Sequence, residues 1–231
     1  MTKGTIDSRL IMFLGCPGAG KSTLSERLCG ELIARGVPAH WLSEEAMNRL
    51  EVVKQFAGRW YSDDPDGPDA FLDMVRSVAA DWSKSQTVWI TDAFLPAFHW
   101  LYGKYPLERL EEVVAGEALI LAPLRPLLVY LDADVRTAWA RAVAQRGAEW
   151  ADFMVRTFAG FSYPYSTDGP PRDEEDVVRF LERSAVDWHA ALARWPGETV
   201  ILDTTEAPID QLEGAILRHL GLAELPVPGV P

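Results

Sequence analysis

The stretch Leu10-Ile-Met-Phe-Leu-Gly-Cys-Pro-Gly-Ala-Gly-Lys-Ser-Thr-Leu24 constrains the fold more than any other part of this chain. Leu10 to Leu14 is a short apolar run bounded by Arg9 and Gly15, the pattern of a parallel strand buried on both faces. Leu24, Leu28 and Leu32 recur at helical spacing, and Gly36 with Pro38 marks the stop of that helix. Between the two, Gly15, Gly20, Lys21 and Ser22 stand in the order G-x-x-x-x-G-K-[ST]. Glycines let successive backbone N–H groups turn inward around an anion. The following helix aims the positive end of its dipole at the same point. Lys21 supplies a mobile full charge for β- and γ-phosphates, and the Ser22 hydroxyl is placed to ligate Mg²⁺. The run Gly15, Cys16, Pro17, Gly18, Ala19, Gly20, Lys21, Ser22 and Thr23 is therefore read as the seat of the ATP phosphates. A chance match in a glycine-rich turn would lack a strand before it and a helix after it, and both are legible here.

The rest of the chain repeats that alternation. Further strands are expected at Ala39–Ser43, Thr87–Thr91, Leu127–Leu131 and Thr199–Leu202. Helices are expected over Ala46–Phe56, from a cap at Asp69 to Trp82, from Pro106 to Val114, from Asp132 to about Arg146, over Asp176–Trp195 and over Pro208–Leu220. Gly58–Pro68 reads as a loop with Trp60 and Tyr61 at its start. Gly147 to Glu175 reads as an insertion that would serve as a lid, and the Pro-rich end, 222–231, as a loose tail. The expected class is α/β: one domain over 1–231, with a five-stranded parallel sheet and helices on both faces. Ligands of such sheets bind at the carboxyl ends of the strands. Glu44, Asp92 and Asp132 follow strands two, three and four, and so belong on the same rim as Lys21.

Composition narrows the partners. The formal net charge is −12, whereas a protein that grips long nucleic acid normally carries a basic face. The charge weighs against a nucleic-acid partner, although a local basic groove can sit on an acidic protein. Cys16 and Cys29 form no disulfide framework and read as reduced thiols of a cytoplasmic protein. The first apolar run is too short for a signal-peptide core, and Leu119–Leu131 is broken as a membrane span by Pro123, Arg125 and Pro126. No membrane partner is expected, and assembly into a homodimer stays open.

Later motifs choose among functions for the glycine loop. A guanine-reading Asn/Thr-Lys-x-Asp is absent, which argues against a GTPase. Leu127-Leu-Val-Tyr-Leu-Asp-Ala-Asp134 is followed by Arg141, by Gln145-Arg146-Gly147 and by Phe180-Leu-Glu-Arg-Ser-Ala-Val-Asp-Trp188. Here the chain resembles the thymidylate kinase and deoxynucleoside kinase superfamily of P-loop kinases. In that superfamily a Y-L-D strand leads into a helix with lid arginines ending in Arg-Gly, a later helix carries Y-L…W, and a last strand ends in an acid, here Leu202-Asp203. The resemblance runs to about Thr205. The loop Gly15–Thr23 is also similar to that of polynucleotide 5′-hydroxyl kinases.

The resemblance implies transfer of the γ-phosphoryl of ATP, with Mg²⁺, to a hydroxyl or phosphate of a small ring-bearing metabolite such as a nucleoside, nucleotide or related natural product. A polynucleotide hydroxyl kinase is the first alternative, and a nucleotide-dependent switch without acceptor is the second. Lys21 would neutralise the phosphates, and Arg141 and Arg146 would close over the transferring group. Glu44, at the end of strand two, would be the general base, with the adjacent Glu45 as competitor for the base or as an acceptor contact. Asp92 would hold Mg²⁺ or orient the acceptor. Ala93 stands where the family has an arginine, which leaves the acceptor open. Trp60, Tyr61, Phe94, Phe98 and Trp100 fall in segments that line the acceptor pocket in this superfamily, where they would stack on a flat ring or serve as core.

Overall fold

The structure, a computed structural model, describes residues 6–62, 64–93, 95–160, 163–166 and 169–222, with the backbone alone at 99 and 100. Five strands carry the architecture: β1 (Leu10–Leu14), β2 (Ala39–Leu42), β3 (Val88–Thr91), β4 (Pro126–Asp132) and β5 (Glu198–Asp203). They form one sheet in the order β2-β3-β1-β4-β5, and every neighbouring pair is parallel. The helices between them are α1 (Lys21–Ala34), α2 (Glu44–Met47), α3 (Glu51–Tyr61), α4 (Gly67–Trp82), α5 (Phe98–Leu101) and α6 (Leu107–Leu121), then α7 (Val135–Arg146), α8 (Ala148–Ala159), α9 (Glu174–Leu192) and α10 (Ile209–His219). A 3₁₀ turn, Ala122–Leu124, leads into β4. No helix among the described residues is long and apolar enough to cross a membrane.

Central β1 explains its own sequence. Leu10, Met12 and Leu14 point into a core shared with α3, α4 and α6, while Ile11 and Phe13 point into a second core shared with α1, α7 and α10. Both faces are covered, so the strand has no polar position. The connection leaving β1 runs to β2 on one side, and the one leaving β4 runs to β5 on the other. Their carboxyl ends therefore diverge and open a crevice between them.

Four expectations about the helices change. The helix expected over Ala46–Phe56 is two: Ser43 caps the single turn α2 by accepting the Ala46 N–H at 3.3 Å, and α3 starts afresh at Glu51. Helix α3 then runs through Gly58 to Tyr61, where a loop was expected. Its stripe Val53, Phe56, Trp60 packs on the core, and this burial outweighs the roughly 1 kcal/mol that a mid-helix glycine costs. Asp69 is no cap. Helix α4 begins at Gly67 with Pro68 in its first turn, and Asp69 pairs with Arg109 at 2.8 Å.

Helix α6 continues past Val114 to Leu121, because Glu117, Ala118 and Leu121 extend its buried stripe. Glu117 has no exposed surface. Its Oε2 accepts the Ala97 N–H at 2.8 Å, and its Oε1 is buried without a hydrogen-bond partner among the described residues. Burial pushes the carboxyl from its ordinary 4.5 up to about 8, and the Ala97 hydrogen bond offsets this only in part. Between those two values the unfolded chain has released the proton and the folded one retains it. The stability that Glu117 itself contributes is thus fully present below pH 4.5 and is lost as pH rises to 8, by at most about 1.4 kcal/mol per unit. Glu117→Gln keeps an acceptor for Ala97 and removes the titration. Urea melts from pH 5 to 8.5 should show the variant gaining on the parent as pH rises, and a constant difference would contradict a buried neutral Glu117.

Candidate functional site

The glycine loop lies at the carboxyl end of β1, in the crevice. Gly18 has φ +83°, and a Cβ placed there would meet the Ala138 carbonyl oxygen of α7 at 1.9 Å, so only glycine lets the loop lie against α7. Helix α1 starts directly after Gly20 with no side-chain cap and no acidic residue in its first turn. Its free N–H groups and positive dipole end are left for a ligand. Ser22 and Thr23 are exposed on this turn. Lys21 reaches back over the loop, donating to the Gly15 carbonyl at 2.8 Å and to that of Cys16 at 3.1 Å. Desolvation lowers the Lys21 pKa, opposed by Cys16, Asp92 and Glu44 and reinforced by Arg146. Both carboxylates and Arg146 therefore act on the Lys21 ammonium. Burial raises the Cys16 thiol pKa, and Cys16 and Cys29 are both free thiols.

One cleft of about 860 Å³ gathers most of the residues singled out in the sequence. Residues 17–23 form one end, and Glu44, Asp92, Arg141, Arg146, Trp60 and Tyr61 line the rest. Asp92 is only 6% exposed, and its Oδ1 is buried without a hydrogen-bond partner among the described residues. Glu44 is exposed in the cleft, whereas Glu45, one residue on, points away and pairs with Arg49. The Ser43 cap sets the phase of α2 and so decides which of the two acids faces inward.

The two arginines differ. Arg141 donates to the carbonyls of Gly18 at 3.4 Å, Thr204 at 3.3 Å and Thr205 at 2.7 Å, tying the glycine loop to the β5–α10 connection. That connection is itself fixed: Thr204 N–H donates to the Asp132 carbonyl at 2.7 Å, and Thr205 Oγ1 accepts the Asp134 N–H at 3.0 Å. Arg146, the last residue of α7, is exposed and sits 5.1 Å over the Trp150 ring.

The aromatic wall is only partly the expected one. Trp60 lines the cleft, with the Lys104 ammonium 4.5 Å from its ring and bonded to its carbonyl at 2.7 Å. Tyr61 stands at the mouth, 63% exposed. Phe98 is a correction: it is buried away from the cleft and backs the wall, edge-on to Trp188 at 6.2 Å and tilted against Tyr102 at 5.4 Å. Phe94 and the Trp100 side chain lie outside the described residues. Tyr102, Phe158 and Tyr163, not singled out in the sequence, complete the wall with Phe180 and Trp188, the ends of a quoted motif to which no site role was given. Part of the 147–175 insertion is the helix α8, whose Trp150, Phe153, Met154, Thr157 and Phe158 face the cleft. Their spacing of three and four residues was readable as an amphipathic helix.

Fold and site together define an α/β protein with an all-parallel five-stranded sheet and one large cleft at the strand carboxyl ends. No protein-family model and no curated protein matches the chain. Among solved structures it is similar to the crystal structure of APE1195, at 14% identity over 95% of this chain and 98% of that one, with a TM-score of 0.50. At that identity the likeness speaks to the α/β fold alone.

Proposed function

We propose that this protein is a P-loop phosphotransferase that moves the γ-phosphoryl of ATP to an acceptor bound beside Trp60. The observation that carries the proposal is that one cleft joins two unlike halves. At one end lie a glycine loop, an uncapped helix N-terminus and Lys21; at the other lie two carboxylates and a wall of rings. The first half suits a polyphosphate and the second a hydroxyl-bearing body. An acceptorless switch has no use for the second half.

The roles follow from position. The amides of residues 17–23 and Lys21 hold the phosphates. Arg141 holds the loop against the β5–α10 connection, a positioning role, while Arg146 is the arginine set to reach the transferring group. Mg²⁺ fits this donor set, because the exposed Ser22 hydroxyl and the unpartnered Asp92 carboxylate oxygen are hard oxygen ligands in the same cleft. When bound, it neutralises phosphate charge. Glu44 takes the proton of the attacking hydroxyl, and α8 covers the cleft against water. The two free thiols fit a reducing compartment such as the cytoplasm.

Incubation with labelled ATP, Mg²⁺ and pools of small alcohols, nucleosides, nucleotides and oligonucleotides should yield a labelled product other than phosphate. Hydrolysis of ATP with no transfer to any pool would point to the switch instead. Glu44→Gln should lower transfer about 100-fold, the weak end for a general base, because a loose transition state demands little deprotonation of the nucleophile. ATP affinity should change less than about two-fold, since the uniform part of binding lies on the loop. An unaffected rate would move the base to Asp92.

A further inference from the structure

We infer that the acceptor is an uncharged alcohol with an apolar ring body, and not a nucleotide, a phosphomonoester or a nucleic-acid end. The inference rests on the phosphotransferase reading above and concerns the acceptor half of the same cleft. Rings form that half: Trp60, Tyr102, Phe158, Tyr163, Phe180 and Trp188. Four of them make a continuous cluster, with Phe180 at 5.4 Å from both Tyr102 and Phe158 and 5.0 Å from Tyr163. Such a wall takes up flat apolar surface.

The charge of the cleft is divided. All of its lysine and arginine, Lys21, Arg141 and Arg146, belongs to the glycine loop or to α7 beside it. The rest of the described lining carries Glu44, Asp92 and Glu206 and no cation, and its one side-chain amide, Gln145, is also on α7 beside the arginines. The sequence positions of the neighbouring stretches that are not described, or described without side chain, are Asp63, Phe94, His99, Trp100, Phe161, Ser162, Thr167 and Asp168, which add no lysine, arginine or amide. The Lys104 ammonium near Trp60 is buried outside the lining and bonded to the Trp60 carbonyl, and Arg146, over Trp150, serves the transferring group, so a phosphate on the acceptor would be desolvated beside two carboxylates with no cation of its own, an arrangement that costs far more than it returns. A base edge against the rings would find no side-chain amide there to read it, since Gln145 stands on α7 with the arginines.

Three of the wall's hydroxyls are already engaged. Tyr102 Oη donates to Asp187 at 2.7 Å, Ser184 Oγ to the Leu181 carbonyl at 2.9 Å, and Thr157 Oγ1 to the Phe153 carbonyl at 2.8 Å. The charged groups of the lining nearest this half are Glu44 and Asp92, acceptors that suit one O–H donor. The step then balances. The hydroxyl oxygen forms a bond to the γ-phosphorus, the bond from that phosphorus to the β,γ-bridging oxygen breaks, ADP leaves with the electron pair, and the hydroxyl proton goes to Glu44 and on to water.

The test measures binding to the full chain by calorimetry with three probes: 2-(2-naphthyl)ethanol, thymidine and thymidine 5′-monophosphate, each with and without a non-hydrolysable ATP analogue and Mg²⁺. The naphthyl alcohol should bind at least about 10-fold more tightly than thymidine and about 100-fold more tightly than the monophosphate. Phe158→Ala should weaken the alcohol about 10-fold and leave the ATP analogue unchanged. Thr157→Arg, on the cleft face of α8, should raise affinity for the monophosphate by at least about 10-fold. Equal or tighter binding of thymidine or its monophosphate to the parent protein, or no binding of the alcohol, overturns the inference. Binding of the alcohol with none of the ATP analogue leaves the inference standing and removes the phosphotransferase reading.

Discussion

Lys21→Ala should lower phosphoryl transfer by about 1,000-fold, on the scale of losing one preorganised donor at developing charge. The protein should nonetheless stay folded. The Lys21 ammonium is desolvated and donates to the carbonyls of the buried Gly15 and Cys16, but Lys21 itself lines the open cleft, so water can follow into the space it leaves. Its removal should change stability at pH 7 by no more than about 1 kcal/mol. A pH signature accompanies this. The folded pKa is lowered below 10.5, so toward alkaline pH the unfolded chain binds more protons at this site than the folded one. Stability contributed by Lys21 therefore rises as pH climbs toward 10.5, and the parent should gain on the variant there. Single-turnover transfer and paired thermal melts at pH 7 and 9.5 check both parts. Transfer within ten-fold of the parent would sink the role of the glycine loop in catalysis.

The strands were the most legible elements, because a parallel strand buried on both faces cannot hide a polar residue. Leu10–Leu14 and Leu127–Leu131 are unbroken apolar runs for that reason. Helix ends were less legible, since tertiary packing sets them. Nothing local says that Trp60 will be buried against α4 and carry α3 through Gly58. The donor half of the site was readable because a phosphate imposes a fixed local pattern on the loop. The acceptor half draws Trp60 from α3, Tyr102 from the end of α5, Phe158 from α8 and Trp188 from α9, elements far apart in sequence and joined only by the fold. Glu44 and Glu45 show the limit at its sharpest. Adjacent acids on one turn differ by about 100° in direction, and the Ser43 cap rather than residue type turns Glu44 inward. Arg141 was identified as a residue of the site, but its three carbonyl partners come from two loops that the sequence leaves unconnected.

Gly18→Ala should be the most damaging small substitution in the chain, and Gly20→Ala supplies its control. Both glycines have positive φ, +83° and +97°, so each variant bears the strain of a left-handed L-residue, about 1–2 kcal/mol. They differ in surroundings. A Cβ on Gly20 meets nothing within 4 Å, whereas one on Gly18 falls 1.9 Å from the Ala138 carbonyl oxygen, 2.7 Å from its carbon and 3.2 Å from Ala142 Cβ. The first two are backbone atoms in the first turn of α7 and the third is a Cβ fixed to that backbone, so none can swing aside as the end of a flexible side chain would. Either the loop lifts or α7 retreats, and both carry the Gly18 carbonyl away from Arg141 and widen the cleft at its phosphate end. The expected loss is about 3–5 kcal/mol of stability for Gly18→Ala against about 1–2 for Gly20→Ala. Transfer in the Gly18 variant should fall by about 100-fold or more, since an ångström of misplacement at a positioned phosphate costs that much. Urea denaturation of the two variants side by side, with transfer rates at a temperature where both are folded, separates strain from collision. Equal stability in the two would mean that the loop and α7 part freely at Gly18, and the steric account would fail.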